Sequence, residues 1–292
     1  MFFKYLLTMV LLAQFTLSVD VDLAVFNVTV LDKDGRPVTG LTEKDFHVYE
    51  DGREERIKIF QPEDTSSTVG LVIDNSGSMI NKRKDVVDAA SAFIGASHPQ
   101  DDIFIVNFNR KVWLGLPASV RFTSDHAQLR AALNETTAEG TTSLYDALKL
   151  SLEHLNKGSK QRKALVLLSD GGDNASIAEL DDVLRLAQQS SATIYCIGIY
   201  DPNQKDRNPS VLRKIAKVTG GEAYFPNSPA TLQSVWPKIA GAIRSQYTIG
   251  YVSSNRAIEA GGYRQVKITA ARRGRSLDVR TRPGYVTGKL EP

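Results

Sequence analysis

Apolar residues are distributed along the chain in two textures. Between 67 and 245 they form short unbroken runs, Val69–Ile73, Ile103–Val106, Ala164–Leu168 and Thr193–Gly198, as expected of strands buried on both faces. Stretches with a 3.6-residue rhythm lie between and after these runs. In the first, Val86, Val87, Ala90, Phe93 and Ile94 share one face; others are predicted around Leu144–Leu155, Ala178–Gln189, Ser210–Val218 and Thr231–Ile243. Strand and helix alternating over this length predict a doubly wound, mostly parallel sheet with helices on both sides.

The flanks read differently. In 19–63, Val28 and Val30, His47–Tyr49 and Arg56–Phe60 are separated by Asp34-Gly35 and Asp51-Gly52; in 246–287, Tyr247, Ile249 and Tyr251 alternate, as do Val266 and Ile268, then Leu277 and Val279 after Arg273-Gly274-Arg275. Short strands joined by such turns predict antiparallel pairing, with Arg56–Phe60 following His47–Tyr49 across the Glu50-Asp51-Gly52 turn. Each flank is too small for a core of its own. The expectation is one small β domain built from both flanks, with the α/β domain inserted between them, since domain termini usually lie close together.

Residues 1–18 stand apart. Lys4 precedes the apolar run Tyr5–Ala13, and Thr16 and Ser18 are small, the layout of a secretory signal cut after Ser18; retained, the same run would be an anchor. The expected protein is exported, periplasmic or extracellular, with no transmembrane span once the signal is removed. Composition narrows the function further. Against 33 acidic residues stand 36 basic ones, a net charge of +3, too small for a nucleic-acid binder. The single cysteine, Cys196, excludes an intramolecular disulfide framework and a Cys-rich metal site; in a buried strand it reads as a small core residue.

The chemistry sits at two strand ends. Val69–Ile73 runs into Asp74-Asn75-Ser76-Gly77-Ser78, where Asp74, Ser76 and Ser78 alternate and can face one point, with Gly77 permitting a tight turn. One carboxylate and two hydroxyls are a hard-oxygen set suited to Mg²⁺ or Mn²⁺; a serine there can equally be a helix N-cap. Ala164–Leu168 ends in Ser169-Asp170-Gly171, and Gly140-Thr141-Thr142 precedes the Leu144–Leu155 helix. Ligand sites of doubly wound sheets lie at the carboxyl ends of strands where the strand order reverses, so neighbouring strands would set Asp74 and Asp170 across one crevice. A dication between them would relieve their repulsion.

This combination resembles the von Willebrand factor type A domain with its metal-ion-dependent adhesion site, over about three fifths of the chain. The family pattern, Asp-x-Ser-x-Ser, a distant threonine, then aspartate before glycine, falls on Asp74, Ser76, Ser78, Thr142 and Asp170. Thr142 matches rather than Thr141 because the family threonine stands four residues before Asp-Ala-Leu, here Asp146-Ala147-Leu148. The resemblance implies a Mg²⁺, Mn²⁺ or Ca²⁺ ion held by these five residues, an open coordination position completed by an Asp or Glu of a protein partner, and no catalysis. It also implies a last helix, Thr231–Arg244, able to switch affinity. Asp173 and Asn174 are candidates to support the metal's ligands, or simply turn residues. The flanks, with Gly40–Phe46, Tyr49–Gly52, Thr219–Gly221, Gln246–Tyr251 and Arg282–Tyr285, are similar to a narrower group of secreted bacterial proteins common in Acidobacteria.

Other readings compete. In a haloacid-dehalogenase-type Mg²⁺ hydrolase, Asp74 would be the nucleophile, with Asp170 and Asp173 on the metal, but Ser76 stands where a second acid is normally needed. Serine hydrolysis lacks the Gly-x-Ser-x-Gly elbow, and His47, His98, His126 and His154 are scattered. A structural envelope scaffold without metal function is a third reading. Lys82-Arg83-Lys84 reads as the exposed start of a helix or as a frame for the crevice, and Arg272-Arg273-Gly274-Arg275 as a solvated hairpin turn.

Overall fold

The computed structural model describes residues 23–134, 138–199, 207–255 and 261–287; the segment read as a secretory signal lies outside them. Four strands come first: β1 (Leu23–Leu31), β2 (Phe46–Glu50), β3 (Arg53–Glu55) and β4 (Ile57–Gln61). The central unit begins with β5 (Ser67–Asp74), α1 (Arg83–Ala96), β6 (Asp102–Phe108), β7 (Val112–Leu114), α2 (His126–Asn134) and α3 (Leu144–Leu155). It continues through β8 (Arg162–Ser169), α4 (Leu180–Gln189), β9 (Thr193–Gly198), α5 (Pro209–Val218), β10 (Ala223–Tyr224) and α6 (Pro229–Arg244). The chain then returns as β11 (Tyr247–Val252), β12 (Tyr263–Arg272), β13 (Arg275–Arg280) and β14 (Gly284–Val286).

The central sheet has the order β10-β9-β8-β5-β6-β7. All its pairings are parallel except β6–β7, so the sheet is mixed. Sequence reading yielded neither β7 nor α2. Three residues are too few to show alternation, and α2 buries only Leu129, Ala132 and Leu133. From β5 the chain moves one way to β6 and β7, then crosses back to β8, β9 and β10, so the order reverses between β5 and β8. α1 packs on α6, and α3 on α4, which meets α5. Right-handed crossovers on either side of the reversal put these two groups on opposite faces. Leu71, Ile73, Phe93, Phe104 and Trp236 are among the fully buried residues between them.

The second sheet is antiparallel, in the order β3-β2-β12-β13-β1-β11-β4, with β14 on β12. It draws on both ends of the chain: β1 pairs with β11 and β13, and β2 with β12. Phe26, Val48, Tyr247, Ile249 and Tyr251 are fully buried in its own apolar cluster. The Asp51-Gly52 turn sets Glu50 against Arg53, so the hairpin partner of β2 is β3, not Arg56–Phe60. Only Arg56 separates β3 from β4, yet β4 lies at the other end of the strand order on β11, where Phe60 stacks on Tyr247 with ring centroids 5.9 Å apart. Arg273 and Gly274, at φ 51° and 76°, make the β12–β13 turn.

Two buried arginines stitch the sheets together. Arg162, at the start of β8, donates to the carbonyls of Pro62, Thr65, Ile243 and Gln246, and so grips both points where the chain crosses between the sheets. Arg282 donates to the carbonyls of Val25, Gln188 and Ser190 and lies 4.4 Å from the centroid of Phe26.

Candidate functional site

Parallel pairing of β5 with β8, Ile73 opposite Leu168, brings Asp74 and Asp170 out at the same end of the sheet, at the reversal of strand order. Asp74 is fully buried. Its Oδ1 accepts the N–H of Ser76 at 2.8 Å and its Oδ2 the hydroxyl of Ser169 at 2.7 Å. The next residue anchors the loop: Asn75 donates from its side chain to the carbonyl of Ile73 and to Oδ1 of Asn107, and from its backbone to the carbonyl of Phe108. Gly77 then donates to the carbonyl of Gly140 at 2.9 Å. A Cβ on Gly77 would sit 3.3 Å from that oxygen, tighter than an ordinary contact, so glycine suits the close approach of the two loops.

The serines do not cap. Ser76 occupies the N-cap position of a 3₁₀ turn over Gly77–Lys82, but its hydroxyl makes no capping bond. Its Oγ lies instead 3.1 Å from Oγ of Ser78, and Ser78 donates to Oδ2 of Asp170 at 2.6 Å. Asp170 Oδ1 accepts the N–H of Gly172 at 2.9 Å, and its carbonyl accepts that of Asn208. Gly171 follows at φ +82°, where a Cβ would meet the carbonyl of Asn208 at 2.4 Å.

Thr142 reaches the same cleft from the loop before α3. Asn174 holds it from both sides, accepting its N–H at 2.8 Å through Oδ1 and donating to its carbonyl at 3.0 Å. Asp173 does something else. It accepts the N–H of Tyr145 at 3.0 Å and the hydroxyl of Ser176 at 2.5 Å, which satisfies the start of α3 and closes its own loop. Ser76, Ser78, Thr142, Asp170, Asp173 and Asn174 all line an open cleft of about 510 Å³, with Arg207 and Asn208 also on its wall. Ser169 and Asn208 carried no sequence signal for their bonding roles. Asp146, singled out only as a landmark for Thr142, pins the facing loop by accepting the N–H groups of Ile177 and Ala178. Lys82 corrects the reading of an exposed basic helix start: it is buried, with Nζ donating to the carbonyl of Ile199.

Burial, with the nearby charge of Asp170 adding to it, pushes the Asp74 carboxyl up to about 6. Among the described residues no group of three or more His, Cys, Asp or Glu is placed to hold a metal. Asp74 does not line the cleft but lies buried behind Ser76; the cleft wall offers the carboxylate of Asp170 and the hydroxyl-bearing Ser76, Ser78 and Thr142, oxygen donors that suit a hard dication and not a soft one. The four histidines lie outside the cleft; His154 is buried between the rings of Phe104 and Phe122.

Residues 69–236, more than half of the chain, match the family model of the von Willebrand factor type A domain. The chain belongs to this family. Type A domains are usually modules of protein interaction and are generally not enzymes. Among curated proteins, this type A chain is 25% identical to the uncharacterized protein YfbK of Escherichia coli K12 over 178 residues, which is 58% of this chain and 30% of that one. It is 28% identical to the uncharacterized protein sll0103 of Synechocystis over 167 residues, 55% of this chain and 37% of that one. The match thus spans about a third of the length of either relative. Of solved structures, a von Willebrand factor type A protein from Catenulispora acidiphila aligns with a TM-score of 0.55 at 16% identity, covering 91% of this chain and 74% of that one. The PilB minor pilin of Streptococcus sanguinis, as its D319A mutant, aligns at 0.51 and 14%, covering 62% of each. At such identities the likeness is one of fold.

Proposed function

We propose that the type A domain captures a protein partner through a divalent cation, Mg²⁺ or its relatives Mn²⁺ and Ca²⁺, held by Asp74, Ser76, Ser78, Thr142 and Asp170. One observation carries the reading. Residues more than ninety positions apart, Ser78 and Asp170, meet at 2.6 Å in a cleft at the reversal of strand order, with the Ser76 hydroxyl 3.1 Å from that of Ser78. When bound, the cation would supply positive charge and an open coordination position for an Asp or Glu of the partner. The chain's part is to hold the donors. Ser169 and the Ser76 N–H orient Asp74, Gly172 orients Asp170, Asn174 fixes the Thr142 loop, and the Gly77–Gly140 contact locks the two loops together.

The proposal extends to place. The Lys4 and Tyr5–Ala13 pattern supports export to a periplasm or the exterior, and sequencing the mature N-terminus would test it, with Val19 expected first. Among the described residues no helix is long and apolar enough to cross a membrane.

Thermal unfolding with and without Mg²⁺ tests the metal site. A ligand at a hundred times its Kd stabilises the folded state by about 2.7 kcal/mol, which for a chain of this size raises Tm by roughly 4–5 °C. The rise should vanish in Asp170→Ala and shrink in Ser78→Ala, an exposed position whose change leaves the core intact. A wild-type protein indifferent to Mg²⁺, Mn²⁺ and Ca²⁺ would leave the scaffold reading in its place.

A further inference from the structure

We infer that the partner presents its carboxylate from an apolar surface, and that Ile80 and Ile177, beside the cleft, are the side chains that meet that surface. This rests on the metal-dependent reading above and adds the partner's surface chemistry to it. Both residues are large and apolar yet stand in water: Ile80 is 58% exposed and Ile177 94%. Ile80 follows Ser78 by two residues and Ile177 follows Asn174 by three, and Ser78 and Asn174 both line the cleft. With Cα atoms about 3.8 Å apart, neither isoleucine can lie far from it. One belongs to the loop after β5 and the other to the loop after β8, so the loops that supply Ser78 and Asp170 each also carry an apolar tip.

The local structure holds both side chains out. In a 3₁₀ turn residues three apart share a side, so burial of Met79 and Lys82 turns Ile80 and Asn81 toward solvent. Ile177 sits on a loop tied at several points. Its own N–H and that of Ala178 end on the two carboxylate oxygens of Asp146 at 2.9 Å, and Ser176 donates to Asp173 at 2.5 Å. Asn174 and Ala175 both donate to the carbonyl of Thr142 at 3.0 Å. Isoleucine is also stiff at χ1, so a partner that covers these two side chains has little left to order.

The short reach of an acidic side chain names the occupant. An Asp or Glu carboxylate stands only a few ångströms from its own backbone, so a partner that puts one into the cleft lowers its neighbouring residues onto the rim. There they meet Ile80 between Ser78 and Asn81, and Ile177 between Ala175-Ser176 and Ala178, none of them charged. A charged or polar face set down on these side chains would lose water without gaining a partner. Apolar residues would release water on both sides of the contact.

The test titrates the full chain into labelled peptides, read by fluorescence anisotropy, in Mg²⁺ and in chelator. One peptide carries a central Asp bordered on each side by three Leu, a second the same Asp bordered by Ser, and a third Asn in the Leu setting. In Mg²⁺ the Leu-bordered Asp peptide should bind about tenfold tighter than the Ser-bordered one, as expected of partly burying two such side chains. Chelator, or Asn in place of Asp, should abolish binding. Ile80→Ser combined with Ile177→Ser, at two exposed positions, should erase the tenfold preference and leave the Mg²⁺-induced rise in Tm unchanged. Equal affinity for the two Asp peptides, binding of neither, binding of the Asn peptide, or a preference that survives the double variant overturns the inference while the metal reading stands on its thermal shift. Loss of that shift in the wild type removes both.

Discussion

At the seam between the sheets the buried charges are cations: the guanidiniums of Arg162 and Arg282 end on main-chain carbonyls of both cores. At the carboxyl ends of β5 and β8 they are carboxylates, and the groups reaching Asp74 and Asp170 include the hydroxyls of Ser169 and Ser78. Burial acts on both regions in the same sense, disfavouring charge. It pulls each guanidinium down to about 10 and pushes Asp74 up to about 6. What differs is the partner. A carbonyl held by its own strand or helix has one role, accepting, and cannot move away, so the arginines form a closed knot. A hydroxyl rotates, and it donates to a carboxylate or offers lone pairs to a cation with equal ease. The seam is built from contacts with one role, the crevice from hydroxyls with two.

The largest test of that contrast lies at the seam. Arg162→Met should cost about 3–5 kcal/mol by denaturant unfolding, since it strands several buried carbonyls at once, and it should leave the response to Mg²⁺ intact. A cost under about 1 kcal/mol would mean the carbonyls find water and the knot is loose.

Next comes Gly171→Ala. A positive φ together with a Cβ 2.4 Å from the Asn208 carbonyl should cost about 2 kcal/mol. Because Asn208 also bonds the backbone of Asp170, the Mg²⁺-induced rise in Tm should shrink as well. An unchanged rise would detach the crevice from the loop behind it.

Asp74→Asn should reverse sign with conditions. Above pH 6 in chelator, the variant removes a buried charge that the fold disfavours, and gains on the order of 1 kcal/mol relative to wild type. In saturating Mg²⁺ it should be the less stable of the two. A loss in both conditions would make Asp74 a structural carboxylate like any other.

The smallest effect belongs to His154, a buried ionisable group of neither region. Burial lowers its affinity for a proton, so below about pH 6.5 the unfolded chain takes up the proton first and stability falls with pH, by at most about 1.4 kcal/mol per pH unit. His154→Gln should flatten that slope; a slope unaltered by the change would assign the acid sensitivity to other groups.

Much of this was legible in the chain itself, and the reason is local. A strand buried on both faces must be apolar without a break, so Val69–Ile73, Ala164–Leu168 and Thr193–Gly198 announced the sheet, and the α3 boundaries matched its periodicity at Leu144 and Leu155. The alternation of Asp74, Ser76 and Ser78 about Gly77 marked the candidate site, and Arg273-Gly274 marked the β12–β13 turn. What the chain could not display were choices between distant partners. Two-residue turn geometry paired β2 with β3, and packing of Phe60 against Tyr247 placed β4 on β11 instead. Likewise, only the folded molecule shows Lys82 buried, Asp173 closing the start of α3, Ser169 holding Asp74, and Arg162 gathering carbonyls from both crossings. Periodicity records how each residue meets solvent, which neighbours in sequence settle among themselves. A hydrogen bond across a hundred residues is settled by which donor and acceptor the packing of two sheets leaves face to face, and no window of sequence contains both.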